Sequence, residues 1–164
     1  MKYLLTREAF ERLNDAISRA KNRANNAATD GFKSGAEQDG HHDECYQLSL
    51  RETALLDRRL KELEEIISNV EIITPIEQSD TVQIENGVEL QYGDGNIFRF
   101  IVVGYAFATA NEGDLEEVSV YSPIGKAVLG ARSGEKRNLI VGNRHIEVKV
   151  TKIYPPSKAR EVKA

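Results

Sequence analysis

The sequence predicts an α+β protein, an N-terminal antiparallel α-helical coiled-coil hairpin followed by a small β-sheet domain with one short helix. Three observations carry this prediction. Two hydrophobic stripes flank a polar break, the first through Phe10, Leu13, Ile17, Ala20, Ala24 and Ala27. The second runs through Tyr46, Ser49, Thr53, Leu56, Leu60, Leu63, Ile67 and Val70. Both step by three and four residues in alternation, the seam pattern of a coiled coil. Thr74-Pro75 closes the helical region, since proline cannot continue a helix and pushes its predecessor towards extended geometry. From Thr81 onward, short runs rich in β-branched and aromatic residues surround glycine-bearing turns, the pattern of strands and hairpins.

Taken in order, Thr6 is placed to cap the first helix, with Glu8 and Glu11 near its positive end. That helix is expected to reach about Ala28, where Gly31 and Gly35 stop it. Its seam shrinks from large residues to Ala20, Ala24 and Ala27, so the two helix axes should converge towards the turn. The second helix is expected to start within Asp39 to Asp43 and end near Asn69. At 1.5 Å per residue it makes a rod about 40 Å long. Arg58, Arg59, Lys61, Glu62 and Glu64 fit a solvated face. Val88–Tyr92 and Ile97–Val103 read as strands around the turn Gly93-Asp94-Gly95-Asn96, and Glu117–Tyr121 as another. Leu139–Val141 and His145–Ile153 flank Gly142-Asn143 in a second hairpin. Between these hairpins Ser122 is an N-cap, Pro123 suits the first helical position and Gly130 the end. The expected organisation is a hairpin over residues 1–74 with an acidic tip at about 30–44, a sheet domain over 80–156, and a charged tail over 157–164 that frays.

Composition narrows the function. The chain has 164 residues, of which 40% are hydrophobic and 29% charged, as in an ordinary globular protein. Its net charge of −4 argues against nucleic-acid binding by bulk electrostatics. The single Cys45 excludes an intramolecular disulfide and suits a reducing compartment. MKYLLTREAFERL becomes charged too early for a signal peptide, and no apolar run approaches the roughly 20 residues of a membrane span. A cytoplasmic monomer with no membrane partner is expected.

The break between the stripes reads Glu37-Gln38-Asp39-Gly40-His41-His42-Asp43-Glu44. Asp39 and Asp43 suit the N-cap of the second helix, and Glu37 and Glu44 favour its N-terminus electrostatically. The same carboxylates suit Mg²⁺, which takes hard oxygen ligands and keeps several waters, so that one or two suffice. His41 and His42 beside Cys45 raise a transition-metal site, but adjacent histidines point apart on a helix and no second cluster accompanies them.

Two segments carry a family resemblance. Arg51-Glu52, continuing through Arg58-Arg59-Leu60-Lys61-Glu62-Leu63, is similar to the returning helix of the bacterial GreA/GreB transcript cleavage factors. Tyr121-Ser122-Pro123-Ile124-Gly125-Lys126-Ala127-Val128-Leu129-Gly130, followed by Gly134-Glu135, resembles that family's Ser-Pro-x-Gly-x-Ala-x-x-Gly signature. The resemblance implies an FKBP-like C-terminal domain that docks on RNA polymerase, with Ser122, Pro123 and Gly125 at the docking motif. It implies a coiled coil inserted through the polymerase's secondary channel, its tip acids helping to hold a catalytic Mg²⁺ shared with the polymerase. The polymerase's own nuclease activity, rather than an activity of this chain, then cleaves the 3′ end of a backtracked transcript. An ungapped match through Arg51-Glu52 puts the family's Asp on Gly40 and its second acid on Asp43, while a one-residue shift puts the Asp on Asp39. Asp39 and Asp43 are therefore the expected metal ligands, with Glu44 a third candidate. Arg19, Lys21, Arg23 and Lys33 fall where the family contacts nascent RNA, and they equally suit a solvated helix face. A channel-binding regulator without cleavage stimulation is the alternative reading. A structural adaptor with a different coiled-coil partner is a third. Prolyl isomerase activity lacks an aromatic-lined pocket signal.

Overall fold

The computed structural model describes residues 2–35, 43–106 and 115–161, and for residues 27–35, 43–46 and 49 it describes the backbone. The chain divides into two compact units, Met1–Tyr3 with Arg7–Glu71, and Leu4–Thr6 with Ile72–Ala164.

The first unit is a pair of long helices, α1 (Arg7–Gly35) and α2 (Asp43–Ser68). They run antiparallel: the Tyr3 N–H donates to the Asn69 carbonyl at 2.9 Å, and Lys21 pairs with Glu64 at 3.1 Å. Leu13, Ile17 and Ala20 of α1 and Leu63 and Ile66 of α2 are buried. Each large side chain so buried contributes about 1.5–3 kcal/mol. Towards the turn the seam is less buried, with Ala24, Thr53, Leu56 and Leu60 only half-buried.

The helix boundaries differ from expectation in three places. Helix α1 runs through Gly31 to Gly35 instead of stopping near Ala28. A helix-interior glycine costs only about 1 kcal/mol, which a long ladder of hydrogen bonds absorbs. The α2 seam steps by three from Leu63 to Ile66, and Ile67 is half-buried at its margin. Val70 is not on the helix at all. The Asn69 Nδ2 donates to the Glu65 carbonyl at 2.9 Å and its N–H to the Ile66 carbonyl at 3.0 Å, which satisfies two end carbonyls and terminates α2. Val70 then opens β2 (Val70–Ile72), which pairs with β1 (Tyr3–Leu5) in a two-stranded sheet. Neither of these short strands was expected.

The second unit holds a five-stranded mixed sheet in the order β5-β4-β3-β7-β6. Its strands are β3 (Gly87–Tyr92), β4 (Ile97–Val103), β5 (Glu116–Ser119), β6 (Lys136–Val141) and β7 (Arg144–Tyr154). Both expected hairpins form, β3–β4 and β6–β7. At the first turn the Asn96 N–H donates to Asp94 Oδ1 at 3.0 Å, and Gly95 takes φ +89°. Strand β5 pairs parallel to β4 and ends at Ser119, short of the expected Tyr121. Val88, Leu90, Phe100, Val102, Val148 and Val150 line one face and pack with Val128 of α3 (Pro123–Val128). On the other face Ile101, Val103 and Leu115 pack with Ala159 of α4 (Pro156–Ala159). The tail expected to fray from Ser157 therefore includes a helical turn, because Ala159 buries its methyl (1% exposed) against the sheet. Gly87 permits that approach, since a Cβ there would lie 3.3 Å from the Ala159 Cβ.

Candidate functional site

The turn end of the helical hairpin is built on the last residues of α1 and the first of α2. Asp43 is the first residue of α2 and Glu44 the second, so both belong to the helical turn whose free N–H groups favour negative charge. Asp39 lies outside the described residues. Lys33 is in the last turn of α1. Arg19 and Arg23 are exposed and four residues apart, so they share one side of α1, whereas Lys21 is drawn into its ion pair with Glu64. Among the described residues no group of three His, Cys, Asp or Glu side chains is placed to hold a metal ion. The donor chemistry of the turn is nonetheless that of Mg²⁺: its acids are carboxylates, the hard oxygen ligands this ion takes.

The second expected site is the start of α3. Ser122 has extended backbone, and its Oγ accepts the Gly125 N–H at 3.0 Å, so the expected N-cap is formed. Pro123 occupies the first turn, and Gly130, at φ +74°, ends it. Gly125 is required sterically: a Cβ there would overlap the Ser119 carbonyl and stand 2.7 Å from the Val120 Cα. Pro123 is exposed, Ser122 half-buried and Gly125 buried, so only the first two offer side chains to a partner. Arg137 Nη2 ties the end of this motif to β6, donating to the Gly130 carbonyl at 3.4 Å and pairing with Glu135 at 3.0 Å. The Arg132 N–H donates to Glu135, and with Arg137 nearby this lowers the Glu135 pKa.

Sequence reasoning missed a buried polar cluster on the α4 face. Glu89, 5% exposed, accepts from Arg99 Nε at 2.9 Å and from Thr151 Oγ1 at 2.8 Å. The Arg99 and Thr151 hydrogen bonds hold its carboxyl below the ordinary range, outweighing burial. A bulge makes this possible. Glu89 pairs with Lys152 and Leu90 with Val150, which leaves Thr151 as the extra residue beside the carboxylate. Nearby, Arg160 bridges Glu85 at 3.3 Å and Glu117 at 3.7 Å. Glu85 has φ +71°, uncommon for a residue other than glycine. The alternation of Val88, Glu89 and Leu90 signalled opposite faces but not the helix that covers the second one.

Comparison with known proteins shows which family the chain resembles over most of its length. Residues 77–155 match the family model described as transcription elongation factor, GreA/GreB, C-terminal. Transcription elongation factor GreA of Thermotoga neapolitana is 30% identical over 138 residues, covering 82% of this chain and 85% of that protein. GreA of Acholeplasma laidlawii is 29% identical over 135 residues, covering 81% of this chain and 84% of that one. Among solved structures, GreA factor homolog 1 (Gfh1) of Thermus thermophilus is 27% identical, covering 94% of this chain and 99% of that one, with a TM-score of 0.45. This chain belongs to the GreA/GreB family of transcription elongation factors.

Proposed function

We propose that this protein binds RNA polymerase, inserts its two-helix hairpin into the secondary channel and stimulates cleavage of backtracked transcripts. The observation that carries the reading is the pairing of family membership with an acid-bearing turn between two long helices. Asp39 and Asp43, with Glu44 as a lesser candidate, would share an Mg²⁺ with the polymerase's active centre. That ion supplies water activation or stabilisation of the leaving oxygen in a two-metal phosphoryl transfer. What the chain itself contributes is reach and charge, with carboxylates at the end of a rod roughly 40 Å long. Arg19, Arg23 and Lys33 would face the displaced RNA 3′ end. The Ser122–Pro123 motif, shaped by Gly125, would dock the sheet unit on the polymerase surface. The chain is not an enzyme alone in this reading.

One observation favours a second reading, a channel-binding regulator without cleavage stimulation. On the ungapped match Gly40 stands where the family has its first acid. The test uses backtracked complexes of the cognate polymerase with Mg²⁺, following release of short 3′ RNA. Faster release with the native chain, lost in Asp39→Ala, Asp43→Ala and their double variant while binding persists, supports cleavage stimulation. Tight binding with unchanged or slower release supports the regulator. Failure to bind overturns both.

A further inference from the structure

Asn86-Gly87 is the one Asn-Gly step in the chain. An asparagine loses its side-chain amide most readily before glycine, because no Cβ hinders attack by the next backbone nitrogen. In that reaction the Gly87 nitrogen gives up its proton and bonds to Asn86 Cγ, the Cγ–Nδ2 bond breaks, and ammonia leaves. Water then opens the cyclic imide to aspartate or isoaspartate.

In the folded chain both ends of the amide are held. Asn86 is 2% exposed, its Oδ1 accepts the Gln83 N–H at 2.7 Å, and its Nδ2 donates to the Tyr154 carbonyl at 3.2 Å. Its own carbonyl accepts the Val102 N–H at 3.0 Å. Ring closure needs the side chain to swing onto the Gly87 nitrogen, which breaks both amide hydrogen bonds, and needs water at a buried position. The C-terminal segment supplies much of this protection. Gly87 lies beneath α4, where a Cβ would stand 3.3 Å from the Ala159 Cα and Cβ. Tyr154 ends β7, just before α4. Helix α4 is a single turn, docked by the buried Ala159 methyl, by Arg160 on Glu85 and Glu117, and by the Ser157 N–H donating to Glu77 Oε2 at 3.4 Å. A short terminal element of this kind opens before the sheet beneath it does. When α4 lifts, Gly87 loses its cover and the end of β7, with the Tyr154 carbonyl, is free to fray.

We propose that Asn86 is a deamidation site gated by α4, protected while that helix is docked and open to reaction each time it lifts. The product does not fit the closed form. An aspartate replaces the donor Nδ2 with an oxygen that faces the Tyr154 carbonyl, leaving that acceptor without its hydrogen bond. Isoaspartate adds a methylene to the main chain beside the Val102 hydrogen bond. Modified chains therefore hold α4 open, and the site records time spent open. The test incubates the full chain at constant temperature and pH, folded and in denaturing urea. Peptide mass spectrometry follows the mass gain and the isoaspartate at each asparagine. In urea Asn86 is expected to react faster than the other asparagines, and in the folded chain roughly tenfold more slowly or less. Arg160→Gln loosens α4 and should speed the folded-state reaction at Asn86 severalfold, with the exposed Asn138 and Asn143 unchanged. Ser122→Ala weakens the same unit away from α4 and is the control for global unfolding. Ala159→Ser is the deciding variant if Arg160→Gln lowers the melting temperature further than Ser122→Ala does. A folded-state rate equal to that in urea overturns the protection. A native rate in the α4 variants, or an equal acceleration by Ser122→Ala, overturns the gate. Asn86→Asp should speed hydrogen exchange at the Ala159 amide, which donates to the Pro155 carbonyl at 2.9 Å, and native-level exchange there overturns the locking of the open form.

Discussion

Replacing Arg99 with methionine tests the buried cluster on the α4 face. The substitution keeps most of the apolar stem and removes the guanidinium that donates to Glu89 at 2.9 Å. Glu89 would then sit 5% exposed with Thr151 as its remaining side-chain donor and the charge of Lys152 nearby. Breaking a fully buried pair costs about 3–5 kcal/mol. Here the Arg99 side chain is 38% exposed, so solvent already screens one partner and the expected loss is about 2 kcal/mol. For a domain of this size, that lowers the melting temperature by roughly 8–16 °C. Calorimetry at pH 7 reads the change directly. The pH dependence follows from the depressed Glu89 pKa. The cluster's contribution is complete above the ordinary carboxylate value of 4.5 and is lost as pH falls through the lower folded value. The stability gap between the native chain and Glu89→Gln should therefore narrow on going from pH 7 to pH 3. An Arg99→Met melt within 1 °C of native, or a Glu89→Gln gap that does not change with pH, refutes the reasoning.

Three further outcomes follow from the geometry. Gly125→Ala forces a methyl onto the Ser119 carbonyl and should destabilise the sheet unit by about 1–3 kcal/mol, read by urea titration, with weaker polymerase binding. Ser122→Ala removes the cap hydrogen bond to Gly125 and should cost about 1 kcal/mol, whereas Ser122→Asp restores the acceptor and most of the stability. Leu13→Ala opens the fully buried centre of the helix pair and should cost about 2–5 kcal/mol, seen as lost helical circular dichroism at lower temperature.

Local chemistry made much of this protein legible in its sequence. The stripes of α1 and α2 announce themselves through a period close to the helical repeat. The turns at 93–96 and 142–143 need glycine at positive φ, and Gly95 and Gly142 supply it at +89° and +59°. Helix α3 is a matter of neighbours, because Ser122, Pro123 and Gly130 each meet a requirement set within a few residues. The acids at the turn, Asp39, Asp43 and Glu44, are equally plain as residues, though their charge suits a helix N-terminus as well as a metal.

Tertiary structure alone decided what depends on residues distant in sequence. Strands β1 and β2 are too short to display a period and exist because they find each other. The parallel partnership of β4 with β5, and the inclusion of Ala159 in the core, are long-range matches that no local pattern encodes. Ile66 rather than Ile67 enters the α2 seam because the opposing helix selects the face at its end. The clearest case is Glu89. Its alternation with Val88 and Leu90 specifies only that it lies on the face opposite theirs. Covering of that face, a one-residue bulge and the approach of Arg99 turn it into a buried ion-paired carboxylate. Burial is a property of two surfaces in contact, and the sequence of one strand specifies only its own.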